Sequence, residues 1–220
     1  MPDDRAPAPG TEDDRSASAG DVIAAEILAL LEPMRFAEAI DEPERLECFR
    51  LRYRAVLEMQ MAAAVEFPGG LETDEFDASA IHILGVDETR PIATSRIILP
   101  LPGRPLPVEA AFGLRLSDAG GVVEIGRVVV DPGYRGDGHS VFMGLTARGW
   151  LSMRARGYAT AIGATSRRLI ALFEALGITV TVLGEPRNYW GEERYPILCD
   201  SRPAIPRLER AWRADRSRDQ

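Results

Sequence analysis

Two ionisable residues and a glycine-rich turn form the part of the sequence whose residue types and spacing could do chemistry. Glu124 and Arg127 lie in an apolar segment that continues into VVVDPGYRGDGHS at 128–140. The valines predict a buried strand, and Gly136 and Gly138 allow close backbone approach just before a helix begins. Free N–H groups at a helix start favour a phosphate or another anion. A reacting group tethered to that phosphate could reach the upstream charges, which indicates a thioester-handling site.

A second set of charged residues lies far from this segment in the sequence. The loop sequence FPGGLETDEFD places Glu72, Asp74 and Asp77 close together, and such carboxylates repel one another unless cations lie between them. Arginines on neighbouring elements could supply those cations, because a planar guanidinium pairs with two carboxylates or with a substrate carboxylate. The candidates are Arg52, Arg96 and Arg127. Taken alone, the pattern favours a solvated acidic loop beside unrelated surface arginines.

Hydrophobic periodicity and breaker residues predict an alternation of elements that could bring these two sets together. Strands are predicted at 34–40, 80–86, 92–99, 122–131, 158–165, 179–184 and 195–199, and helices at 21–32, 43–60, 139–157 and 166–176. The β–α–β–α–β order in the second half predicts an α/β (α+β) fold, a mixed sheet with helices on both faces.

Length and composition are compatible with one domain that carries tails. The chain has 220 residues, of which 45% are hydrophobic, as is ordinary for a globular protein. Residues 1–20 contain few large apolar side chains, and we expect them to be disordered. We therefore predict a single domain over residues 21–203 with an N-terminal helix, followed by a charged tail over 204–220.

Charge and composition exclude several classes of protein. A net charge of −8 argues against nonspecific nucleic-acid binding, and the absence of lysine excludes a Schiff-base mechanism. Cys48 and Cys199 show neither zinc spacing nor a disulfide framework, so no metal site is predicted. No apolar run approaches the roughly 20 residues of a membrane span, and the acidic N-terminus is unlike a secretion signal, so a cytoplasmic location is expected.

The order of predicted elements resembles the fold of the GCN5-related N-acyltransferases (GNAT), whose central sheet is mixed and mostly antiparallel. Their phosphate loop normally has the pattern Arg/Gln-x-x-Gly-x-Gly/Ala, and this chain has the sequence RGDGHS at 135–140, in which serine takes the last position. The resemblance implies that the central strand and this loop bind the donor. The residues concerned are Val128, Val130, Arg135, Gly136, Gly138, His139 and Ser140.

A closer resemblance, over about residues 48–200, is to the autoinducer synthases and to the related N-acyl amino acid synthases. It depends on the segments RYRAV, GLETDEFD, HILG, SRIILP, LPVE and EIGRVVV. It implies transfer of a fatty acyl chain to an α-amino group, from acyl carrier protein or coenzyme A as co-substrate, with no tightly bound cofactor. It also implies that a charged cluster shapes the amine site, formed by Arg52, Asp74, Asp77, Arg96, Glu124 and Arg127.

Three alternatives stay open. The first is a homoserine-lactone synthase. Those enzymes usually have a tryptophan in the loop that here follows the helix at 43–60, where this chain has only Phe67. This favours a plain amino acid or another amine over S-adenosylmethionine as acceptor. An acetyl-CoA-dependent N-acetyltransferase is disfavoured, since the helix SRRLIALFEALG lacks the tyrosine that many such enzymes use as general acid. The third alternative is a non-catalytic protein that binds acyl carrier protein or lipid.

Glu124 and Arg127 are the predicted catalytic pair. The reaction requires a neutral amine, and no histidine accompanies the carboxylates, so Glu124 is the candidate base, directly or through water. We expect Arg127 to hold this glutamate ionised and to orient it. Backbone N–H groups near Val128 would stabilise the oxyanion.

Overall fold

The computed structural model describes residues 12–135, 139–175 and 178–200. Its helices are α1 Glu12–Leu30, α2 Glu42–Glu58, α3 Pro107–Phe112, α4 Ser140–Arg154 and α5 Arg167–Ala175. Its strands are β1 Arg35–Glu38, β2 Ile81–Asp87, β3 Arg90–Ile98, β4 Val122–Val130, β5 Thr160–Thr165, β6 Val180–Val182, β7 Arg187–Tyr189 and β8 Glu192–Asp200. None of the described helices has both the length and the apolar character needed to cross a membrane.

The strands form one mixed sheet of eight, which confirms the predicted architecture. Its order is β1-β2-β3-β4-β5-β8-β6, and β7 pairs with the other end of β8. Among the described strands, only β4 and β5 are parallel, and their register joins residues 122–124 of one to 160–162 of the other. Both strands continue beyond these pairs, to Val130 and Thr165. The sheet therefore separates at its centre, between the two halves of the fold.

Helices cover both faces of the sheet, because neighbouring side chains of a strand point in opposite directions. On β2, Ile83 packs with Val141 and Leu145 of α4, whereas the adjacent Leu84 packs with Leu51 of α2. The start of α2 is stabilised by Asp41, whose side chain accepts a hydrogen bond from the Glu44 N–H at 2.9 Å. This arrangement holds α2 against β2, β3 and β4 on the face away from α4.

The prediction of disorder up to residue 20 is wrong for residues 12–20, which belong to α1. The helix packs along α4, where Ile23 and Ala24 contact Ala147 and Trp150, and Ala19 packs against the same cluster. The Trp150 indole N–H also donates to Asp21 at 2.7 Å. Tertiary packing thus overrides a weak local pattern. Residues 1–11 and the predicted tail at 204–220 lie outside the described residues.

Two short elements escaped the sequence analysis, α3 and β7. Helix α3 begins at Pro107 and depends on the buried side chain of Glu109. That carboxylate accepts hydrogen bonds from the N–H groups of Leu106 at 2.9 Å and Ser117 at 2.7 Å, and from the Ser117 hydroxyl at 2.6 Å. Because these bonds join residues on both sides of α3, one buried carboxylate determines the shape of the connection between β3 and β4.

Helix α4 crosses β1 so closely that Gly144 contacts the ring of Phe36, where a methyl group would overlap the aromatic carbons. We expect Gly144→Ala to destabilise the protein by about 1–3 kcal/mol through overpacking. Gly149 on the same helix has no atom within 4 Å of an added methyl group. The matched Gly149→Ala should instead stabilise by about 0.5–1 kcal/mol, because alanine favours helix over glycine. Urea denaturation of both variants measures the difference; equal midpoints would contradict this packing.

Candidate active site

Arginines from three elements converge on the acidic loop between α2 and β2. Arg52 of α2 donates from Nη1 and Nη2 to the two carboxylate oxygens of Asp77, at 2.8 and 3.0 Å, and from Nε to Glu72. Arg96 of β3 donates from Nη1 to Asp74 and to Asp77, both at 2.7 Å. All of these interactions are between side chains of opposite charge, so the loop is paired and is not a solvated acidic surface.

Arg127 of β4 completes the network. It donates from Nε to Glu72 at 3.1 Å and from Nη2 to Asp74 at 3.2 Å. The structure therefore brings together the three arginines and the three acids of the loop that the sequence suggested could pair, with Glu72 as a bridge between Arg52 and Arg127. We call these six residues the charged cluster: Arg52, Glu72, Asp74, Asp77, Arg96 and Arg127.

The carboxylates also build the loop that carries them. Asp77 accepts a hydrogen bond from the Asp74 N–H at 2.7 Å, and Asp74 accepts one from the Phe76 N–H at 2.9 Å. Burial alone would raise the pKa of Asp77, but the hydrogen bonds and charges of Arg52 and the charge of Arg96 outweigh it and lower the pKa to about 2. Asp77 is thus ionised at any physiological pH.

Glu124 lies deep beside this cluster, with 6% of its surface exposed. Burial raises its pKa to about 7, against the opposing effects of the Val108 N–H, which donates to it at 2.8 Å, and of the charges of Arg96 and Arg127. The expectation that Arg127 holds Glu124 ionised is therefore wrong, because the Arg127 side chain donates to Glu72 and Asp74 and burial dominates at Glu124. A carboxylate with this pKa can accept a proton near neutral pH.

A bulge in β4 explains how Glu124 and Arg127 both reach the cluster. The register between β3 and β4 shifts by one residue, since Thr94 pairs with Val129 but Arg96 pairs with Gly126. Arg127 lies at this shift with φ 51°, an uncommon conformation for a residue with a side chain. The bulge interrupts the regular ladder beside Val128, the position predicted to stabilise an oxyanion, which stays a prediction.

An apolar cavity of about 320 Å³ starts where β4 and β5 separate. Ser95, Ile125, Arg127 and Val128 line its sheet side, and α4 and α5 cover it through Phe142, Gly149 and Phe173. Cys199 also faces it. The volume lies at the lower end of the range of small-molecule pockets, about 300–1,000 Å³. An extended apolar group could therefore occupy the space next to the charged cluster.

The donor loop is described only in part, and Gly136 and Gly138 lie outside the described residues. Arg135 is not free, because its guanidinium donates to both carboxylate oxygens of Glu58, at 2.6 and 2.8 Å, and to the Val130 carbonyl at 2.8 Å. His139 precedes α4 with φ 66°, and Ser140 is the first residue of that helix. The N-terminus of α4 thus lies directly after the predicted phosphate loop, as the sequence indicated.

Sequence analysis missed Trp190, which lies in the turn between β7 and β8. The Cζ atom of Arg127 is 3.9 Å from the centre of its ring, a close cation–π contact. The neighbouring Tyr189 is close enough to Glu124 for their charges to interact, and burial raises the pKa of its phenol. The dipeptide Tyr-Trp before a glycine was the available signal, but its position beside β4 depends on a pairing between distant parts of the chain.

Comparison with known proteins agrees with this geometry. Residues 51–144, from the second helix to the first turns of α4, match the family model described as an acetyltransferase (GNAT) domain. Over this segment the chain is similar to a GNAT domain. The matched segment contains the whole charged cluster, Glu124 and the predicted phosphate loop. No curated protein sequence matches the chain.

Solved structures similar to this chain include several acyl-homoserine lactone synthases. The CoA-dependent synthase BjaI, with SAM and isopentyl-CoA, is 22% identical, with a TM-score of 0.65 over 81% of this chain and 88% of that one. TofI, with an inhibitor and MTA, is 21% identical, with a TM-score of 0.61 over 79% and 96%. The CoA-dependent synthase MesI is 25% identical, with a TM-score of 0.58 over 74% and 85%. The fold is that of the GNAT enzymes, and the protein is an N-acyltransferase.

Proposed function

We propose that this GNAT protein transfers a fatty acyl group from acyl carrier protein or acyl-CoA to the α-amino group of an amino acid or a related amine. One observation supports it above the others: Arg127 lines the apolar cavity and also pairs with Asp74 of the acidic loop. An apolar space and a charged cluster therefore meet at one residue, as an enzyme that joins a lipid chain to a polar amine requires.

The acyl chain would occupy the cavity, with its thioester carbonyl at the bulge of β4. Each methylene removed from water contributes about 0.8 kcal/mol, so the apolar lining can distinguish fatty acyl groups from acetyl. At the bulge, the Val128 N–H would stabilise the oxyanion of the tetrahedral intermediate. Ser140 and the N-terminus of α4 would bind phosphate of the donor arm, and Arg135, which pairs with Glu58, would hold the loop that precedes them.

Glu124 would remove the proton from the acceptor amine. An α-amino group has a pKa of about 8, so a base whose pKa is about 7 is well matched to it near neutral pH. The nitrogen attacks the thioester carbon, the proton passes to Glu124 directly or through water, and collapse of the intermediate releases the thiolate, which takes up a proton. The products are an acyl amide and the free thiol of the donor.

A second candidate function is acyl-homoserine lactone synthesis, which the similarity of the fold to BjaI and TofI favours. The two candidates differ in the acceptor, which would then be S-adenosylmethionine, and in the product. Lactone formation releases methylthioadenosine, whereas acylation of a plain amino acid releases only the donor thiol.

Purified protein given acyl donors from acetyl to palmitoyl, as CoA and as carrier-protein thioesters, with a mixture of amino acids and S-adenosylmethionine, separates these functions by mass spectrometry. We expect long-chain acyl amino acids. Homoserine lactones with methylthioadenosine would indicate the second candidate, and acetyl products alone would indicate an ordinary acetyltransferase. Donor binding without any product would contradict enzymatic acyl transfer.

The cavity predicts a change in acyl selectivity. Gly149 lines it and has open space around an added side chain, so Gly149→Leu should fill part of the volume without displacing the backbone. We expect the preferred acyl chain to become shorter, with about a fourfold loss of kcat/KM for each methylene that no longer fits. Competition between donors of different length measures this, with Gly149→Ala as the small-volume control. Unchanged preference in the leucine variant would place the acyl chain elsewhere.

A further inference from the structure

The turn that carries Trp190 is conformationally costly. Tyr189 pairs with Glu192, so Trp190 and Gly191 alone connect β7 to β8. Their φ angles are 56° and 76°, the combination of a type I′ turn. Such turns favour asparagine, aspartate or glycine at the first position, and a bulky side chain with positive φ is an outlier that costs free energy. A tryptophan here stabilises neither the turn nor the hairpin by its backbone preference.

The conformational cost of this turn accompanies one specific contact, between Trp190 and Arg127. The Trp190 ring lies 3.9 Å from Cζ of Arg127, and the turn is held over the site because Gly191 packs close to Met61 at the end of α2. Residues in strained conformations persist where the surrounding structure holds them, and they are concentrated at functional sites. The contact with Arg127 is therefore the feature to which we assign the strained turn.

The Arg127 guanidinium is held both by hydrogen bonds and by its contact with the indole of Trp190. Nε donates to Glu72 and Nη2 donates to Asp74, which fixes one edge of the guanidinium group. The indole ring lies next to the guanidinium carbon, with its centre 3.9 Å from Cζ. Among the described residues, Nη1 of Arg127 has no hydrogen-bond acceptor, and the side chain is 16% exposed and lines the cavity. Nη1 is thus the donor that these contacts leave for a ligand, on a side chain whose charge acts on Glu124.

We propose that Trp190 is a positioning residue of the acceptor site: its indole holds the Arg127 guanidinium so that Nη1 binds the carboxylate of the amino-acid acceptor. This rests on the proposed function, since it names the group of the acceptor that the charged cluster recognises. A guanidinium donor suits a carboxylate, and binding it there would leave the acceptor amine near Glu124.

The test is Trp190→Asn, which gives the turn a residue that it favours and removes the ring. We expect the thermal midpoint to be no lower than that of Trp190→Phe, which keeps both the ring and the strained backbone. The KM for an amino-acid acceptor should rise about 3- to 30-fold, the range of a cation–π contact, while the KM for the acyl donor stays the same. Trp190→Phe should restore most of the acceptor affinity.

The same assay with the amino-acid amide as acceptor separates positioning from a structural role. Because the amide has no carboxylate for Nη1, Trp190→Asn should raise its KM little, and Arg127→Gln should remove the preference for acid over amide. An equal rise for acid and amide, or a rise in donor and acceptor KM together with a lower thermal midpoint, overturns the proposal. If instead Glu124→Gln and Arg127→Gln leave acylation unchanged, it is the proposed function of the site that fails.

Discussion

Replacement of Glu124 by glutamine should lower kcat by about 10²–10⁴-fold, the usual contribution of a general base. The amide keeps the size of the side chain and can still accept the hydrogen bond of the Val108 N–H, but it cannot take a proton. Steady-state rates with a saturating donor measure the effect. Glu38→Gln, on β1 in an ion pair with Arg156 outside the charged cluster, is the matched control and should retain wild-type activity.

The dependence of the rate on pH tests the role of Glu124 more specifically. Because burial raises the pKa of Glu124 to about 7, the wild-type rate should rise with pH through about 7 as the carboxylate becomes free to act as base. The residual activity of the glutamine variant should lack that rise and should increase only through about 8, as the acceptor amine itself loses its proton. A Glu124→Gln variant with a wild-type rate and pH profile would remove Glu124 from the mechanism.

The Glu124→Gln substitution, which should lower activity, should raise stability above pH 7. The pKa of Glu124 is raised in the folded state above its ordinary value of 4.5, so its contribution to stability is present below pH 4.5 and is lost as pH rises through about 7. The glutamine side chain is neutral at every pH. Glu124→Gln should therefore be more resistant to urea than the wild type above pH 7, and equally resistant near pH 4.

Replacement of Arg52 by methionine should destabilise the protein by about 3–5 kcal/mol, the cost of breaking a buried ion pair from one side. The Arg52 side chain is 1% exposed and pairs with both Glu72 and Asp77. Methionine fills much of the same volume but leaves these buried carboxylates with fewer cations. Urea denaturation at pH 7 measures the loss.

Arg50 provides the comparison on the same helix. It pairs with Glu47 at the surface, and its side chain is 50% exposed. Exposed pairs contribute about 0–1 kcal/mol, so Arg50→Ala should be nearly neutral. Similar effects of the Arg52 and Arg50 substitutions would contradict the buried network.

Acid provides an independent check of the same network. The pKa of Asp77 is lowered to about 2, so its ionised form contributes stability above its ordinary value of 3.8, and this is lost as pH falls through about 2. Since Arg52 is the main cause of the lowering, Arg52→Met should lose less stability between pH 4 and pH 2 than the wild type.

The members of the charged cluster could be predicted from sequence because their chemistry is conspicuous, and the resemblance to a known family supplied their common location. The geometry of the site could not be predicted from the sequence. On a regular strand, residues three apart point to opposite faces, so Glu124 and Arg127 would be separated. A bulge that pairs Arg96 with Gly126 and Thr94 with Val129 brings them together. No local pattern in EIGRVVV distinguishes a bulged strand from a regular one.

Other features depend on contacts between distant segments. The pairing of Arg135 with Glu58 joins the phosphate loop to the end of α2, and Trp190 reaches Arg127 from a turn more than sixty residues later in the chain. Residues 12–20 belong to a helix that packs on α4 through Ala19, Ile23 and Ala24, although their composition favours disorder. Secondary-structure propensity describes a segment in isolation, whereas these features depend on the segments that pack against it in the fold.

The two ends of the proposed site are held by different forces. The carboxylates of the acidic loop are ordered by guanidinium groups and by the backbone N–H groups of their own loop, whereas most of the cavity surface is apolar. Protons act on the first, and temperature and cosolvents act on the second. Acidification should therefore weaken binding of the amine acceptor while leaving binding of the acyl chain intact. Partial denaturation by acid would then separate the binding of the two substrates.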